Sequence, residues 1–453
     1  MMKPVSRHAS HTMLCMGVFI ALFGLVGCQS TATSDRQQGQ ADDENPMRWA
    51  TYSRQPMALR AAGVERVLAE DAEGFWQDAA ALARQIDDWP MIGLLADKAS
   101  LSADERALPW LVRSWAMASK LVHDDERPES KAIALITDAP ADQFLIDVVF
   151  ESPDRYEPAT QVAAWAVMVR MGPGQWLRDS VTETPDAEAG VLVSMLKHIA
   201  PAVDVLPVDR EAVTQMMRLS AALNPEQWQH IARYRVTQQG DGPWTLALRH
   251  VPALERRNKA RDTWAHARWI THVASRLSER RHVSRGERAQ DDLVITARPE
   301  HFMDHRDELG VADLIVLDHL LDAMQDRGIK RALFEHAEAD RLDNTTEYGG
   351  ALTWDQRGSL HYKPFIPVLR MHDQAYIAST RCMQAVHVGL AHVHFHAQRY
   401  ENSPWAGPGK GDLDFVEAQH VNAVVLTFVD TDTLNIDAYF PGGIVIDLGC
   451  ITR

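Results

Sequence analysis

Three histidines at alternate positions, His392, His394 and His396, begin a stretch whose residue types could hold a metal ion. A glycine-rich loop and Asp412 follow within the same segment, Val386 to Ala418. In an extended strand, side chains i and i+2 point the same way, so His392 and His394 can reach one ion. Imidazole nitrogens with one carboxylate are the usual zinc set where a fourth position stays open to water. A His-x-His pair alone says little, because alternation on an exposed strand produces it by chance. Two further pieces give it weight: Glu347 opens the strand-like run Thr346-Glu347-Tyr348-Gly349-Gly350-Ala351-Leu352, and Pro408-Gly409-Lys410-Gly411-Asp412 closes the set.

The elements that must position these residues lie in the last third of the chain. Val311, Leu314, Ile315, Leu317, Leu320, Leu321 and Met324 mark one amphipathic helix, ended at Gly328. Short β-like runs follow at Tyr348 to Trp354, Leu360 to Leu369, Ala375 to Ala378, Ala385 to Val393, Asn422 to Val429, Thr433 to Tyr439 and Gly443 to Leu448. Turn formers separate them, and Asp412 to His420 reads as a helix between strands. Residues 291–453 therefore read as one mixed α/β domain of ordinary size.

A strand-opening Glu347, then Gly389-x-x-His392-x-His394, then a proline turn ending in Asp412 resembles the JAMM metalloproteases, also called JAB/MPN domains. The resemblance runs from Glu300 to Arg453 and leaves out the rest of the chain. It implies Zn2+ held by His392, His394 and Asp412, with Glu347 as the general base that holds the attacking water. It also implies hydrolysis of amide or isopeptide bonds, in many members those of ubiquitin-like conjugates. Three departures stand out. The family's oxyanion-steadying serine aligns with Gly409, where Ser403, Lys410 or loop amides would have to substitute. The spacing from His394 to Asp412 is long, with Arg399 to Gly407 as an apparent insertion. Phe395-His396 stands where a proline is usual, which leaves His394 with His396 as an alternative ligand pair. Each residue also has a plain structural role open to it. Asp412 after Gly-Lys-Gly is a natural helix cap, and a degenerate JAMM fold could serve as a non-catalytic binding or scaffold domain. His361, His372, His387 and His420 fit no motif and read as structural.

Residues 47–290 read differently. Apolar positions recur at three and four, as in Leu108-Leu111-Trp115-Ala118-Leu121, and Pro/Gly turns interrupt them. The fold class expected is an all-α array of helical hairpins, solenoid-like, followed by the mixed α/β domain. Ten of the thirteen tryptophans fall between Trp76 and Trp269 on helical spacing, where they serve as core. Arg249 to Arg288 carries eleven Lys or Arg against four acids, either a basic surface for anionic lipid or an acidic partner, or a helix joining two domains. The partner of this half, protein or peptide, is not written in the sequence.

At the start, Lys3 and Arg7 precede a short apolar run that ends at Leu25-Val26-Gly27-Cys28. This resembles a bacterial lipobox, which implies a signal peptide at 1–27 and a lipid-anchored Cys28. It places the protein in the cell envelope; Gln29 points to the outer membrane, facing the periplasm. Residues 28–46 read as a disordered polar tether. A net charge of −16 argues against nucleic acid as a partner. Cys382 and Cys450 remain as a disulfide or as two buried thiols.

Overall fold

The computed structural model describes residues 55–83, 86, 88–117, 122–172, 174–238, 246–283, 300–370 and 376–453. The expected signal peptide, Cys28 and the expected tether lie outside the described residues, as do the last charges of the basic segment and His372. The chain divides into two units after Phe75. In the first, Met57–Glu70 is helical. The second, Trp76–Arg453, holds both the helices and the sheet.

Helices from Trp89–Ser102 to His266–Ser278 follow one another across the middle of the chain. Their starts are written in polar caps. The Asp88 carboxylate accepts the Met91 N–H at 3.2 Å, with Pro90 in the first turn. Asn224 accepts the Gln227 N–H at 3.0 Å. Six of the ten tryptophans expected as core are buried, Trp76, Trp110, Trp115, Trp165, Trp228 and Trp269; Trp89 and Trp264 are half-buried, Trp176 is exposed, and Trp244 lies outside the described residues. Burial of such large apolar surfaces is the main term holding short helices that would not persist alone.

Five helices position the candidate site: α1 (Arg210–Ala222), α2 (Val311–Ala323), α3 (Arg327–Leu342), α4 (Thr380–His387) and α5 (Lys410–Gln419). The strands are β1 (Gly349–Trp354), β2 (Leu360–Phe365), β3 (Ala391–His396), β4 (Ala423–Asp430), β5 (Thr433–Phe440) and β6 (Ile444–Thr452). They form one six-stranded sheet in the order β2-β1-β3-β4-β5-β6, antiparallel except where β3 and β4 run parallel. A parallel pair needs a crossover, and α5 supplies it.

Helices cover both faces of the sheet. On one, α3 sets Phe334 against Phe428 and His336 against Phe395. On the other, Cys382 and Val386 of α4 and Val416 of α5 pack on Ala351, Ala423, Val425 and Tyr439. Alternation along β3 sends Val393 and Phe395 to the first face and the three histidines to the second.

Three sequence expectations change. Helix α3 falls where none was expected: Gly328, read as a stop, sits in its first turn behind the Asp326 cap, which accepts the Ile329 N–H at 2.8 Å. Ala385 to Val393 is the end of α4 and the start of β3 rather than one strand, because Ser379 caps a helix through the Cys382 N–H at 3.1 Å. Tyr376 to Ala378 form no strand. Cys382 and Cys450 are free thiols, each pushed up to about 11 by burial.

The basic segment is a joint between the helices and the sheet. Arg249 donates to Asp313 and to Asn422, both at 2.7 Å. Arg261 and Arg276 bind Asp318, and Arg276 also reaches Asp322 at 2.7 Å. Acids from α2, far away in sequence, answer charges that have no local partner. Among the described residues no helix is long and apolar enough to cross a membrane.

Candidate metal centre

His394 and His396 bring their Nε2 atoms to 3.3 Å from one another. The Asp412 carboxylate closes the group, with Oδ1 3.2 Å from His394 Nε2 and Oδ2 3.7 Å from His396 Nε2. Among the described residues, the group whose donor atoms all lie within 4.8 Å of one another is Glu347 with His394 and His396; Asp412 meets the two histidines through different oxygens. The sheet register explains the meeting. Gly349 of β1 lies opposite His394, so Glu347, two residues earlier, falls level with His396 just past the last pair of the β1–β3 ladder. Asp412 comes from the crossover helix, in its first turn, where its carboxylate also accepts the Gly409 N–H at 2.7 Å. The residue is both helix cap and site donor.

Tautomers follow from the outer contacts. His396 Nδ1 lies 3.0 Å from the Trp405 carbonyl, an acceptor only, so Nδ1 carries the proton and Nε2 keeps its lone pair. His394 Nδ1 lies 3.2 Å from the Tyr439 hydroxyl, and the same tautomer lets it donate there. Outer partners of this kind orient metal-binding imidazoles. Two lone pairs and a carboxylate aimed at one point repel unless positive charge sits between them. Tetrahedral ligands roughly 2.0–2.1 Å from zinc stand roughly 3.3–3.4 Å apart. The His394–His396 and His394–Asp412 separations, 3.3 and 3.2 Å, are close to that, and the His396–Asp412 one, 3.7 Å to the other carboxylate oxygen, is longer. The donor set fits an ion of this class. His394 is 2% exposed, His396 15% and Asp412 25%, so the site opens to solvent on the His396–Asp412 side.

The electrostatics agree. Burial works against charge on His394, yet the Asp412 carboxylate, with Glu347 and Asp340 further out, holds its pKa above the ordinary imidazole range. Burial likewise opposes ionisation of Asp412, and the His394 ring overcomes it, holding the carboxyl well below its usual range. The point between them favours positive charge, as a proton or as an ion.

His392 stacks on His394, with ring centroids 5.9 Å apart, but is not among the residues whose donor atoms gather. Its ring stacks on Tyr376, with centroids 5.5 Å apart, and touches Phe415 at 4.9 Å. Both of its ring nitrogens are buried without a hydrogen-bond partner, and burial, then the charge of His394, pushes its pKa down to about 3. The register Gly-x-x-His392-x-His394 is thus not the one that gathers donors; the alternative pair, His394 with His396, is. Lys410 reaches Asp414 on the exposed side of α5, and the Gly409 amide is taken by Asp412, so neither faces the cluster as an oxyanion donor. Ser403 lies in the short turn Ser403–Trp405 that presents the Trp405 carbonyl to His396. No family model, curated protein or solved structure matches this chain.

Sequence reasoning missed Tyr439 and Asp340. Tyr439 carried a faint signal as a tyrosine closing a buried strand, Thr433–Phe440, where a hydroxyl needs a partner. Asp340 was hidden with the unrecognised helix α3. His387 and His420, read as structural, join α1 to the sheet unit: His387 Nδ1 is 2.8 Å from Arg218, and His420 Nε2 is 2.6 Å from Asp209.

Proposed function

We propose that this protein is a metal-dependent hydrolase of amide bonds, with a JAMM-like site built on His394, His396, Asp412 and Glu347. The observation that supports this reading is the gathering of His394, His396 and the buried Glu347 within 4.8 Å of one another, with the half-buried Asp412 carboxylate against both histidines. His394, His396 and Asp412 would hold Zn2+, which when bound polarises a carbonyl and lowers the pKa of water. Glu347 is 6% exposed and close to both histidines, as a general base must be. Its carboxylate takes a proton from the attacking water and returns it to the leaving amine. Trp405 (50% exposed) lies on the open side, where its carbonyl meets His396, and offers an apolar surface to a substrate chain.

The substrate class is a peptide or isopeptide in the cell envelope, reached from a lipid anchor at Cys28. The test is hydrolysis of peptide and isopeptide-linked substrates by zinc-loaded protein beside Glu347→Gln. The variant should keep its ion and lose roughly 10²–10⁴-fold in rate. Equal rates in the two proteins would rule out this mechanism. A second reading, a non-catalytic binding domain, is favoured by the Gly409 amide, which is tied to Asp412 where the family has a serine. It predicts an ion bound tightly with no turnover in either protein.

A further inference from the structure

We infer that Asp340, on α3, is the positioning residue of this site, setting the separation of Glu347 from His396; the inference rests on the metal-site reading above. One carboxylate bridges two strand ends. Asp340 Oδ1 accepts the Tyr348 N–H at 2.6 Å, and Oδ2 accepts the Ala397 N–H at 3.2 Å. Tyr348 directly follows Glu347 at the entrance to β1, and Ala397 directly follows His396 at the exit of β3. Both amides lie just beyond the last β1–β3 pair, Gly349 with His394, where these two strands no longer bond to each other.

Asp340 is 2% exposed, and α3 is held against the sheet by Ile329, Leu333, Phe334 and Ala337. The carboxylate is therefore fixed by a packed helix rather than by a loop. Charge-assisted hydrogen bonds to amides are among the stronger kind, and two from one group fix a distance as well as a direction. A negative charge placed here also favours a cation at the donors. The same helix steadies the approach to Glu347 a turn later, where Asp343 accepts from the Thr345 N–H at 3.1 Å and the Tyr348 hydroxyl at 3.1 Å.

The isosteric variant Asp340→Asn separates a tie from mere bulk. An amide has one acceptor oxygen, so it can serve Tyr348 or Ala397 but not both, and it turns an N–H toward the other. The experiment is Co2+ titration of the full-length protein, followed by its visible absorption, together with amide hydrogen exchange of the metal-free protein. We expect D340N to keep a cooperative thermal transition, to bind Co2+ roughly 10–100-fold more weakly, and to shift the cobalt spectrum. Exchange should quicken at Tyr348 and Ala397. Wild-type affinity in D340N overturns the inference, whether or not exchange quickens, and leaves the metal reading standing. A wild-type protein that takes up no Co2+ is a different failure, that of the metal reading, and the inference falls with it. If D340N does not fold, D340E keeps both acceptors but displaces them by a methylene, and Co2+ affinity equal to wild type there overturns the inference equally.

Discussion

Two buried polar clusters of this molecule solve opposite problems. In the helical region Arg127 and Glu129, 2% and 0% exposed, form a two-bonded ion pair through Nε and Nη2 at 3.1 and 2.6 Å. The remaining capacity is filled: Ser114 donates to Glu129 at 2.7 Å, and Arg127 donates to the carbonyls of Met117 and Ser114 at 2.8 and 3.0 Å. Donors meet acceptors, and the cluster is closed. At the β3–α5 corner, acceptors meet acceptors. His394, His396 and Asp412 point lone pairs at one place, with Glu347 beside it. A cluster that satisfies itself holds the fold; one whose acceptors gather calls for positive charge between them, as a proton or as a metal ion.

The contrast breaks most sharply under substitution. Glu129→Ala leaves a buried guanidinium without its carboxylate and should cost about 3–5 kcal/mol in denaturant unfolding, while Co2+ affinity stays as in wild type. A loss of metal affinity there would show that the two clusters are not independent.

His392 sharpens the comparison from within β3. Its ring occupies an apolar slot with both nitrogens unpartnered, so His392→Phe should raise stability by about 1 kcal/mol and leave metal content unchanged. Metal lost from that variant would return His392 to the ligand set.

A smaller effect tests the joint behind α5. His420 sits in the left-handed region at the end of α5 (φ 53°) and pairs with Asp209, which also caps α1 through the Ala212 N–H at 2.8 Å. The Asp209 carboxylate holds His420 above the usual imidazole range against the opposing effect of burial. Burial would raise the Asp209 pKa, and the bonds from His420 and Ala212 hold it low instead. The stabilisation from His420 is complete below its unfolded value of 6.5 and is lost as pH rises through its raised folded value. That from Asp209 is present above 3.8 and is lost as pH falls through its lowered value. Relative to His420→Asn, which tolerates the left-handed backbone, wild type should have its largest advantage between pH 3.8 and 6.5. Thermal unfolding across pH reads this, and an advantage that grows above 6.5 would contradict it.

Much of this was legible in the sequence, for physical reasons. Period-two alternation put all three histidines on one face, and a Gly-Lys-Gly-Asp turn placed Asp412 in the first turn of a helix. Helical spacing marked most of the tryptophans as core, though not Trp176, which is exposed. The choice between His392 and His396 was not legible, because i and i+2 share a face and only the tertiary neighbours separate them. Tyr376 and Phe415 wall off one ring; the Trp405 carbonyl orients the other. Helix α3 was obscured by Gly328, whose place in a first turn depends on the Asp326 cap. The basic segment looked unpaired because Asp313, Asp318 and Asp322 reach it only through the fold.

The most direct test of the central claim is metal content, by elemental analysis, of protein beginning after Pro46, beside His394→Ala/His396→Ala and His392→Ala. About one zinc per chain is expected in wild type and in His392→Ala, and none in the double variant. No metal in wild type after zinc loading, or equal metal in the double variant, would contradict it.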